Sequence, residues 1–367
     1  MEKENFLYLH IGTPKTGTTS LQGYLAANCK GLLEQGFYYR TDEKISSLYG
    51  PLDMEIPQNT NGHWILAALD EVSQKLIHRD FLGVANLDAK AVEMLADVDF
   101  EEHSATFRRN IADLKTRLEK QNVILSNELL WNIPQIYLKQ LYKRLQGRVK
   151  VVVYLRRQDF LLESSYNHAI RQSPMRVAFD EFMGLFGTLP YLRRTVRYRE
   201  TLDEISGITG KENLIVRIYG SKDKDGNPFD IKKDFADVIG IDLKKTVTHN
   251  NKNTRISGQS IEYLRAFYSM IGELPKECRP SPEREKRIND ILCQISKRSG
   301  PDLYFTPEGR REFLQAYEDE NAYIADTYLD GAALSDEGIP ADAEATVHPL
   351  SGEELDRLYF MTALILS

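Results

Sequence analysis

A strand, a loop with two glycines and a helix follow one another near the start of the chain, and this arrangement constrains the fold more than any other feature. The apolar residues 6–9 predict a buried strand, and residues 10–20, HIGTPKTGTTS, predict the loop. A helical pattern with Leu21, Leu25 and Cys29 on one face then runs to Gly36, where we expect the helix to end. Backbone N–H groups and the dipole at such a helix start favour an anion. We therefore predict an anion-binding loop at residues 10–20.

The position of the lysine in this loop indicates which anion it binds. Gly12 and Gly17 have the separation of the nucleotide-triphosphate loop GxxxxGK[ST], but Thr18 stands where that loop has its lysine. The lysine lies inside the loop instead, as Lys15. The segment PKTGTTS resembles the 5′-phosphosulfate loop of sulfotransferases that use 3′-phosphoadenosine-5′-phosphosulfate (PAPS). The resemblance implies PAPS as co-substrate, with its phosphosulfate held by Pro14, Lys15, Thr16, Gly17, Thr18, Thr19 and Ser20.

A second motif follows residues 149–155, the run of the chain that is richest in β-branched side chains. Arg156 ends this run, and Ser164 lies eight residues further on, the separation by which the same family binds the 3′-phosphate of its nucleotide. Arg157 and Ser165 have the same separation, so the register stays open by one residue. We favour Arg156, because it directly ends the strand, and a guanidinium matches phosphate oxygens with paired hydrogen bonds. Both motifs then bind opposite ends of one nucleotide at a shared sheet edge.

Strand-like and helix-like segments alternate along the first part of the chain, which favours an α/β fold with a parallel sheet. The resemblance implies a P-loop-type three-layer fold, with a central parallel sheet flanked by helices and a helical C-terminal lobe. We predict a core at residues 1–245 with a helical insert at about 41–122, and a lobe at 246–367; one single domain is the alternative. Further strands are expected at residues 36–40, 123–125 and 213–219, and one helix at 191–205.

Sulfuryl transfer is an in-line displacement in which the acceptor loses a proton and the leaving phosphate oxygen gains charge. Lys15 is expected to stabilise that charge, and the family uses a histidine or a glutamate as the base. His63, at a predicted helix start, is the first candidate, because histidine titrates near neutral pH. Glu128 follows the strand at residues 123–125 and is the second; Glu43 is the third. Other interpretations stay open: His63 would also suit a solvent-facing helix start, and Glu128 a helix cap.

The activity that these motifs imply is transfer of sulfate from PAPS to a hydroxyl or amine of a glycan or small-molecule acceptor, leaving adenosine 3′,5′-bisphosphate. This chemistry requires no metal, so we predict none. A P-loop kinase or NTPase is an alternative, in which Glu128 would lie on the Mg²⁺ side and Lys15 would bind phosphate. A relative that binds the nucleotide without catalysis is the other alternative. The residue at position 18 counts against the kinase, since its loop needs a lysine there.

Composition indicates which partners and which cellular compartment the protein has. A net charge of −7 argues against a general nucleic-acid binder. The apolar run at residues 359–366 is too short to span a membrane. The three cysteines, Cys29, Cys278 and Cys293, have no CxxC spacing and indicate reduced thiols, which favours a cytoplasmic protein. The arginines between positions 193 and 199 do not share one helix face, so we expect most of them to be solvated.

Overall fold

The protein is described by a computed structural model that covers most of the chain. It describes residues 4–39, 61–77, 95, 97–172, 176–188, 190–220, 222, 226–247, 256–295, 302–334, 339–340 and 342–366. Two predictions lie wholly or partly outside this part of the chain: the candidate base Glu43, and residues 41–60, 78–94 and 96 of the insert predicted at about 41–122. The strands are Leu7–His10 (β1), Phe37–Tyr38 (β2), Asn122–Ser126 (β3), Val149–Leu155 (β4) and Leu214–Ile218 (β5).

Helices make up most of the remaining described structure. Those before β4 are Thr18–Ala27 (α1), Cys29–Glu34 (α2), His63–Ile77 (α3), Phe100–His103 (α4), Ala105–Leu118 (α5) and Pro134–Arg144 (α6). Those after it are Gln158–Gln172 (α7), Phe179–Thr188 (α8), Pro190–Val196 (α9), Tyr198–Thr209 (α10), Ile231–Ile239 (α11), Gly258–Glu273 (α12), Pro282–Leu292 (α13), Pro307–Gln315 (α14), Glu318–Tyr328 (α15) and Gly352–Leu366 (α16). A 3₁₀ helix, Glu128–Asn132, follows β3.

The strands form one parallel sheet in the order β2-β3-β1-β4-β5. The central strand β1 pairs with β3 on one side and β4 on the other, so that Leu9 lies between Leu125 and Val151. These residues are buried, as expected for a parallel sheet covered by helices. The connection from β1 leads to β2 on one side of β1, and the connection from β3 leads to β4 on its other side. Such a switch point is where open α/β sheets bind ligands. The predicted α/β fold, parallel sheet and helical C-terminal region are confirmed.

The helix after the loop is shorter than predicted. Instead of running from the loop to Gly36, it breaks at Asn28, whose backbone is not helical, and α2 begins at Cys29. The Asn28 side chain donates to the Tyr24 carbonyl at 2.9 Å and to the Val247 carbonyl at 3.1 Å. Its amide oxygen also accepts from the backbone N–H of Val247 at 2.7 Å. This side chain therefore ends α1 and ties it to a segment far away in sequence.

The prediction of a single helix at residues 191–205 is also wrong. It divides into α9 and α10 at Arg197, whose backbone is extended. The arginines around this break are not simply solvated, because they pair with carboxylates. Arg194 lies 2.6 Å from Glu204, and Arg197 lies 3.1 Å from Glu320. Arg199 is 3.5 Å from Asp203.

The chain forms two compact units, and both are discontinuous in sequence. Unit 1 consists of Met1–Arg156, Pro190–Asn251 and Asp319–Gly338, and unit 2 of Arg157–Leu189, Lys252–Glu318 and Ile339–Ser367. The boundary near residue 245 stays a prediction. In unit 1, α1 and α11 cover one face of the sheet, where Leu21, Leu25 and Phe235 pack on Ile124 and Val152.

Unit 2 has an aromatic core of its own. Tyr166 on α7 lies edge-on to Phe179 and to Tyr304, with ring centroids 5.4 and 5.0 Å away. None of the helices in the described ranges is both long and apolar enough to cross a membrane. The cytoplasmic location stays a prediction.

Candidate functional site

Hydrogen bonds to β4 hold the glycine loop at the end of β1. The backbone N–H and the hydroxyl of Thr13 both donate to the Tyr154 carbonyl, at 2.9 and 3.0 Å. The Tyr154 N–H donates in turn to the Gly12 carbonyl at 2.7 Å. Inside the loop, the Thr16 hydroxyl donates to the Thr13 carbonyl at 2.5 Å. The loop is therefore an extension of the sheet, and its conformation is set by the strand beside it.

The two glycines are required by the path of the loop. Gly17 has a φ of +80° at the position just before α1, and Gly12 has a φ of +103°, both in the region that favours glycine. A Cβ at Gly17 would lie 3.0 Å from the Tyr219 ring, and one at Gly12 would lie 3.3 Å from the Cβ of Glu128. The glycines thus let the loop pass close to the residues that follow β5 and β3.

The helix α1 begins directly at this loop. The N–H groups of Ser20 and Leu21 bond the Gly17 carbonyl at 2.9 and 3.1 Å, which starts the helix. Lys15 and Ser20 are half-buried and Thr19 is exposed. The start of the helix therefore combines its positive dipole end, a lysine and hydroxyl groups, which together suit an anion.

The carboxyl of Glu128 lies beside this loop, because β3 ends next to β1 in the sheet. Burial raises the pKa of the Glu128 carboxyl, and the nearby Lys15 ammonium and Thr18 hydroxyl partly lower it again. The Thr18 hydroxyl itself is buried and has no hydrogen-bond partner of good geometry in the described ranges. The site therefore brings together a lysine and a carboxyl with a raised proton affinity.

His63 does not face solvent, contrary to one of the interpretations of the sequence. Its side chain is buried at the start of α3, and burial lowers the pKa of His63 to about 4. Its Nδ1 lies 3.3 Å from the side-chain nitrogen of Asn127. The imidazole is therefore neutral at neutral pH and sits against the residue that precedes Glu128.

Asparagine side chains attach this histidine to the sheet. Asn61 donates to the Ile124 carbonyl at 3.0 Å and accepts from the Ser126 N–H at 2.7 Å, in the manner of a neighbouring strand. The backbone N–H of Asn127 donates to the His10 carbonyl at 2.9 Å, where the loop begins. His63, Glu128 and the glycine loop are thus neighbours at one edge of the sheet.

Arg156 follows β4 at the same edge and is half-buried. Its Nη1 lies 3.4 Å from the Lys15 carbonyl oxygen, and its guanidinium carbon lies 5.6 Å from the centroid of the Tyr219 ring. The Tyr198 hydroxyl donates to the Arg156 carbonyl at 2.6 Å. The backbone at the end of β4 is thereby held in place, with the guanidinium beside the loop.

In unit 2, Arg157 and Ser165, the alternative pair of the second motif, form hydrogen bonds with other groups of the protein. The Arg157 guanidinium is buried and donates two hydrogen bonds of 2.8 Å to the Asp159 carboxylate. The Ser165 hydroxyl donates to the Leu161 carbonyl of its own helix at 2.7 Å. Ser164, one residue earlier on α7, is half-buried. Arg157 and Ser165 thus both have partners within unit 2, and the register of the second motif stays a prediction.

A cleft of about 440 Å³ opens beside the start of α1 in unit 1. It is lined by Gly17, Ser20, Tyr219, Pro228, Phe229, Asp230, Ile231 and Lys232. The rings of Tyr219 and Phe229 meet edge to face, with centroids 5.3 Å apart. The cleft therefore offers aromatic surface and a lysine next to the anion-binding loop.

Sequence reasoning missed several residues of this edge. Tyr219 and Asn127 follow strands directly, and the ends of strands are the signal that would have found them. Asn61 gave no such signal. The buried His10 ends β1, but its hydrogen bond of 2.8 Å with the Ser126 hydroxyl joins residues that only the folded sheet brings near. Within the described residues, no group of His, Cys, Asp and Glu side chains is arranged to hold a metal ion.

Comparisons with known proteins give two likenesses. No family model matches the chain. The crystal structure of a sulfotransferase from Alicyclobacillus acidocaldarius is similar with a TM-score of 0.38 and 14% identity, over 89% of this chain and 96% of that chain. An uncharacterized protein from Archaeoglobus fulgidus is 28% identical over 211 residues, which are 56% of this chain and 54% of that protein. The chain thus spans about half the length of this relative, and neither likeness is close enough to carry an argument about activity.

Proposed function

We propose that this chain is a sulfotransferase that moves the sulfuryl group of PAPS to a hydroxyl or amine of a glycan or small-molecule acceptor. The observation that carries the proposal is the meeting of Lys15 with the Glu128 carboxyl at the start of α1. A cation for the leaving phosphate and a carboxyl for the acceptor proton are the groups that an in-line sulfuryl transfer needs.

In this proposal the phosphosulfate binds at residues 14–20. The backbone at the start of α1 and the Lys15 ammonium neutralise the 5′-phosphate, and Lys15 stabilises the charge that develops on its leaving oxygen. Thr19 and Ser20, exposed and half-buried, add hydroxyl groups to this helix start. The nucleoside occupies the cleft lined by Tyr219 and Phe229, whose rings offer apolar surface to a base.

The 3′-phosphate is assigned to Arg156 and Ser164. The alternative Arg157 donates from its guanidinium to Asp159, and the Ser165 hydroxyl donates to its own helix. A guanidinium that is committed to a carboxylate has fewer donors left for a phosphate. This assignment follows the spacing in the sequence.

Of the candidate bases, His63 and Glu128 lie within the described residues, and their surroundings support Glu128 over His63. Glu128 is half-buried beside Lys15, and its raised pKa brings it closer to the range in which a carboxylate accepts a proton at neutral pH. His63 is neutral and could also accept a proton, but it is only 6% exposed. We assign Glu128 as the base. His63 contacts Asn127, the residue before Glu128, and is assigned a role in holding this segment in place.

Nucleotide preference tests the proposal first. Adenosine 3′,5′-bisphosphate should raise the melting temperature of the protein without Mg²⁺, because a ligand that binds only the folded state stabilises it. Equal stabilisation by ADP with Mg²⁺ would favour the kinase or NTPase instead.

Transfer of labelled sulfate from PAPS to a panel of glycans and small metabolites tests the activity itself. Labelled product is the expected result, and it should disappear with Lys15→Ala. Tight binding of the bisphosphate nucleotide without any transfer across the panel would indicate a non-catalytic relative.

A further inference from the structure

Unit 2 contains a group of charged side chains that has no part in the proposed chemistry. It consists of Arg157, Asp159, Glu163 and Arg310, which we call the buried tetrad. Arg310 and Asp159 are 0% exposed and Glu163 is 3% exposed. Charged groups are rarely buried so completely unless they pair with one another.

The members of the buried tetrad are joined by direct ion pairs. Arg310 donates from Nη1 to Asp159 and from Nη2 to Glu163, the latter at 2.8 Å. Arg157 donates to both carboxylate oxygens of Asp159 at 2.8 Å. Asp159 and Glu163 are one turn apart on α7, so a single guanidinium reaches both from the same side. The tetrad thus pairs two guanidinium groups with two carboxyl groups.

Backbone groups complete this arrangement. The N–H groups of Tyr304 and Phe305 donate to Glu163 Oε1 at 2.8 and 3.3 Å. The Arg157 guanidinium also donates to the Ile339 carbonyl at 3.3 Å. Hydrogen bonds to segments that lie far away in the sequence therefore hold the first turns of α7 in place.

Such a cluster is a weak way to gain stability, because removing charges from water costs about as much as their attraction returns. Its clearest physical effect is on geometry: each ion pair holds two side chains at a fixed distance and orientation. Ser164 directly follows Glu163 on the helix turn that the tetrad holds. Arg310 of α14 thus holds the helix turn on which Ser164 lies.

We infer that Arg310 is a positioning residue for nucleotide binding: through Asp159 and Glu163 it holds the turn of α7 that presents Ser164 to the 3′-phosphate. This inference rests on the proposed function, which assigns the 3′-phosphate to Ser164. Arg310 itself touches no nucleotide, since it is fully buried in the tetrad.

The test compares two nucleotides by calorimetric titration. Arg310→Lys keeps a positive charge but cannot bond both carboxylates with one planar group. It should weaken adenosine 3′,5′-bisphosphate about tenfold and adenosine 5′-phosphate less than twofold, as Ser164→Ala should. In the double variant Ser164→Ala/Arg310→Lys, the loss should equal that of Ser164→Ala alone, because both changes act on one contact.

A matched control is Arg265→Lys, in the same unit. Arg265 donates to Glu262 at 2.9 and 2.8 Å within α12. Lysine can keep this single ion pair, so the 2.9 Å bond that Glu262 accepts from Tyr166 on α7 should stay in place. This variant should leave the ratio of the two affinities unchanged. Glu163→Gln, which keeps the side-chain shape, is the second variant and should show the same selective loss, so that the answer does not depend on the folding of Arg310→Lys.

The outcomes separate the inference from the function on which it rests. If the wild-type protein and Ser164→Ala bind both nucleotides equally, the assignment of the 3′-phosphate is wrong. If Ser164→Ala loses the preference but Arg310→Lys and Glu163→Gln keep it, the inference alone is overturned. Equal weakening of both nucleotides, or additive losses in the double variant, would reduce the tetrad to a structural role.

Discussion

The glycine loop of unit 1 and the buried tetrad of unit 2 are each tied to a proposed end of the nucleotide, but they are built in opposite ways. The loop is held by backbone hydrogen bonds between Gly12, Thr13 and Tyr154. Its lysine stays half-buried, where water can reach it. The tetrad is held by charged side chains, with Arg310 and Asp159 removed from water altogether. The loop therefore depends on backbone conformation and the tetrad on paired charge.

This difference predicts which substitutions each region tolerates. In the loop, a change of side chain leaves the backbone bonds in place, so activity should suffer more than stability. In the tetrad, a single substitution leaves a buried charge without its partner, so stability should suffer first. The predictions below test this contrast, from the largest expected effect to the smallest.

The largest effect is expected at Glu128. Glu128→Gln should lower kcat by about 10²- to 10⁴-fold while nucleotide affinity and melting temperature stay close to those of the wild type, because a general base acts in the transition state. His63→Ala is the parallel variant, and its loss of kcat should be smaller. Steady-state kinetics with an identified acceptor, together with nucleotide titration, provide the measurement. A wild-type kcat in Glu128→Gln, with a large loss in His63→Ala, would move the base to His63.

The next effect is on stability in unit 2. Asp159→Asn removes the carboxylate shared by Arg157 and Arg310, so the free energy of unfolding should fall by about 3–5 kcal/mol. The comparison is Asp113→Asn on α5 of unit 1, where Arg117 lies 2.7 Å away but the pair is exposed to water. That change should cost at most about 1 kcal/mol. Urea denaturation measures both, and similar losses in the two variants would contradict the contrast.

Glu163 should give unit 2 a distinctive dependence on pH. Burial raises the pKa of Glu163 to about 7, although Arg310 and the backbone amides oppose the shift. Because the folded state holds this proton more tightly than the unfolded chain, its stabilising effect is complete below about pH 4.5 and is lost as the pH rises to about 7. The slope is at most about 1.4 kcal/mol per pH unit. Glu163→Gln should remove this decline, and equal slopes in both proteins would disprove it.

In unit 1, the stability should depend on pH in the opposite direction, rising with pH. Burial lowers the pKa of His63 to about 4, so the unfolded chain binds the proton more tightly, and stability is lost as the pH falls from about 6.5 to 4. His63→Gln should flatten this acidic decline. Denaturant unfolding of the wild type and both variants across pH 4–8 separates the two contributions. If stability declines at acidic pH as much in His63→Gln as in the wild type, the decline comes from other groups.

The smallest effect concerns the backbone of the loop. Gly17→Ala places a side chain at a φ of +80°, 3.0 Å from the Tyr219 ring, and should cost about 1–2 kcal/mol of stability. The control is Gly207→Ala in α10, where no atom lies within 4 Å of the added Cβ. That change should stabilise the protein by about 0.5–1 kcal/mol, as alanine does in a helix. Thermal unfolding of both variants provides the comparison, and a neutral Gly17→Ala would show that the loop adapts.

The sequence by itself determined the glycine loop, the central strands and the edge to which their functional candidates belong. Each of these rests on local information: apolar runs of strand length, glycines at loop positions and polar residues where a strand ends. Lys15, Glu128 and Arg156 were therefore expected at one edge, and they are found there, while their roles stay predictions. The sheet order β2-β3-β1-β4-β5 was not predicted and comes from the structure.

Only the tertiary structure decided what these local patterns leave open. Arg310 and Asp159 are 151 residues apart, and nothing in either neighbourhood indicates that they meet. The burial of His63 depends on α3 packing beside Asn127, and the break at Asn28 depends on a bond to Val247. In each case a polar side chain finds its partner across a long stretch of chain. Pairings of this kind are set by which surfaces fold together, because a buried polar group must be satisfied by whatever lies next to it.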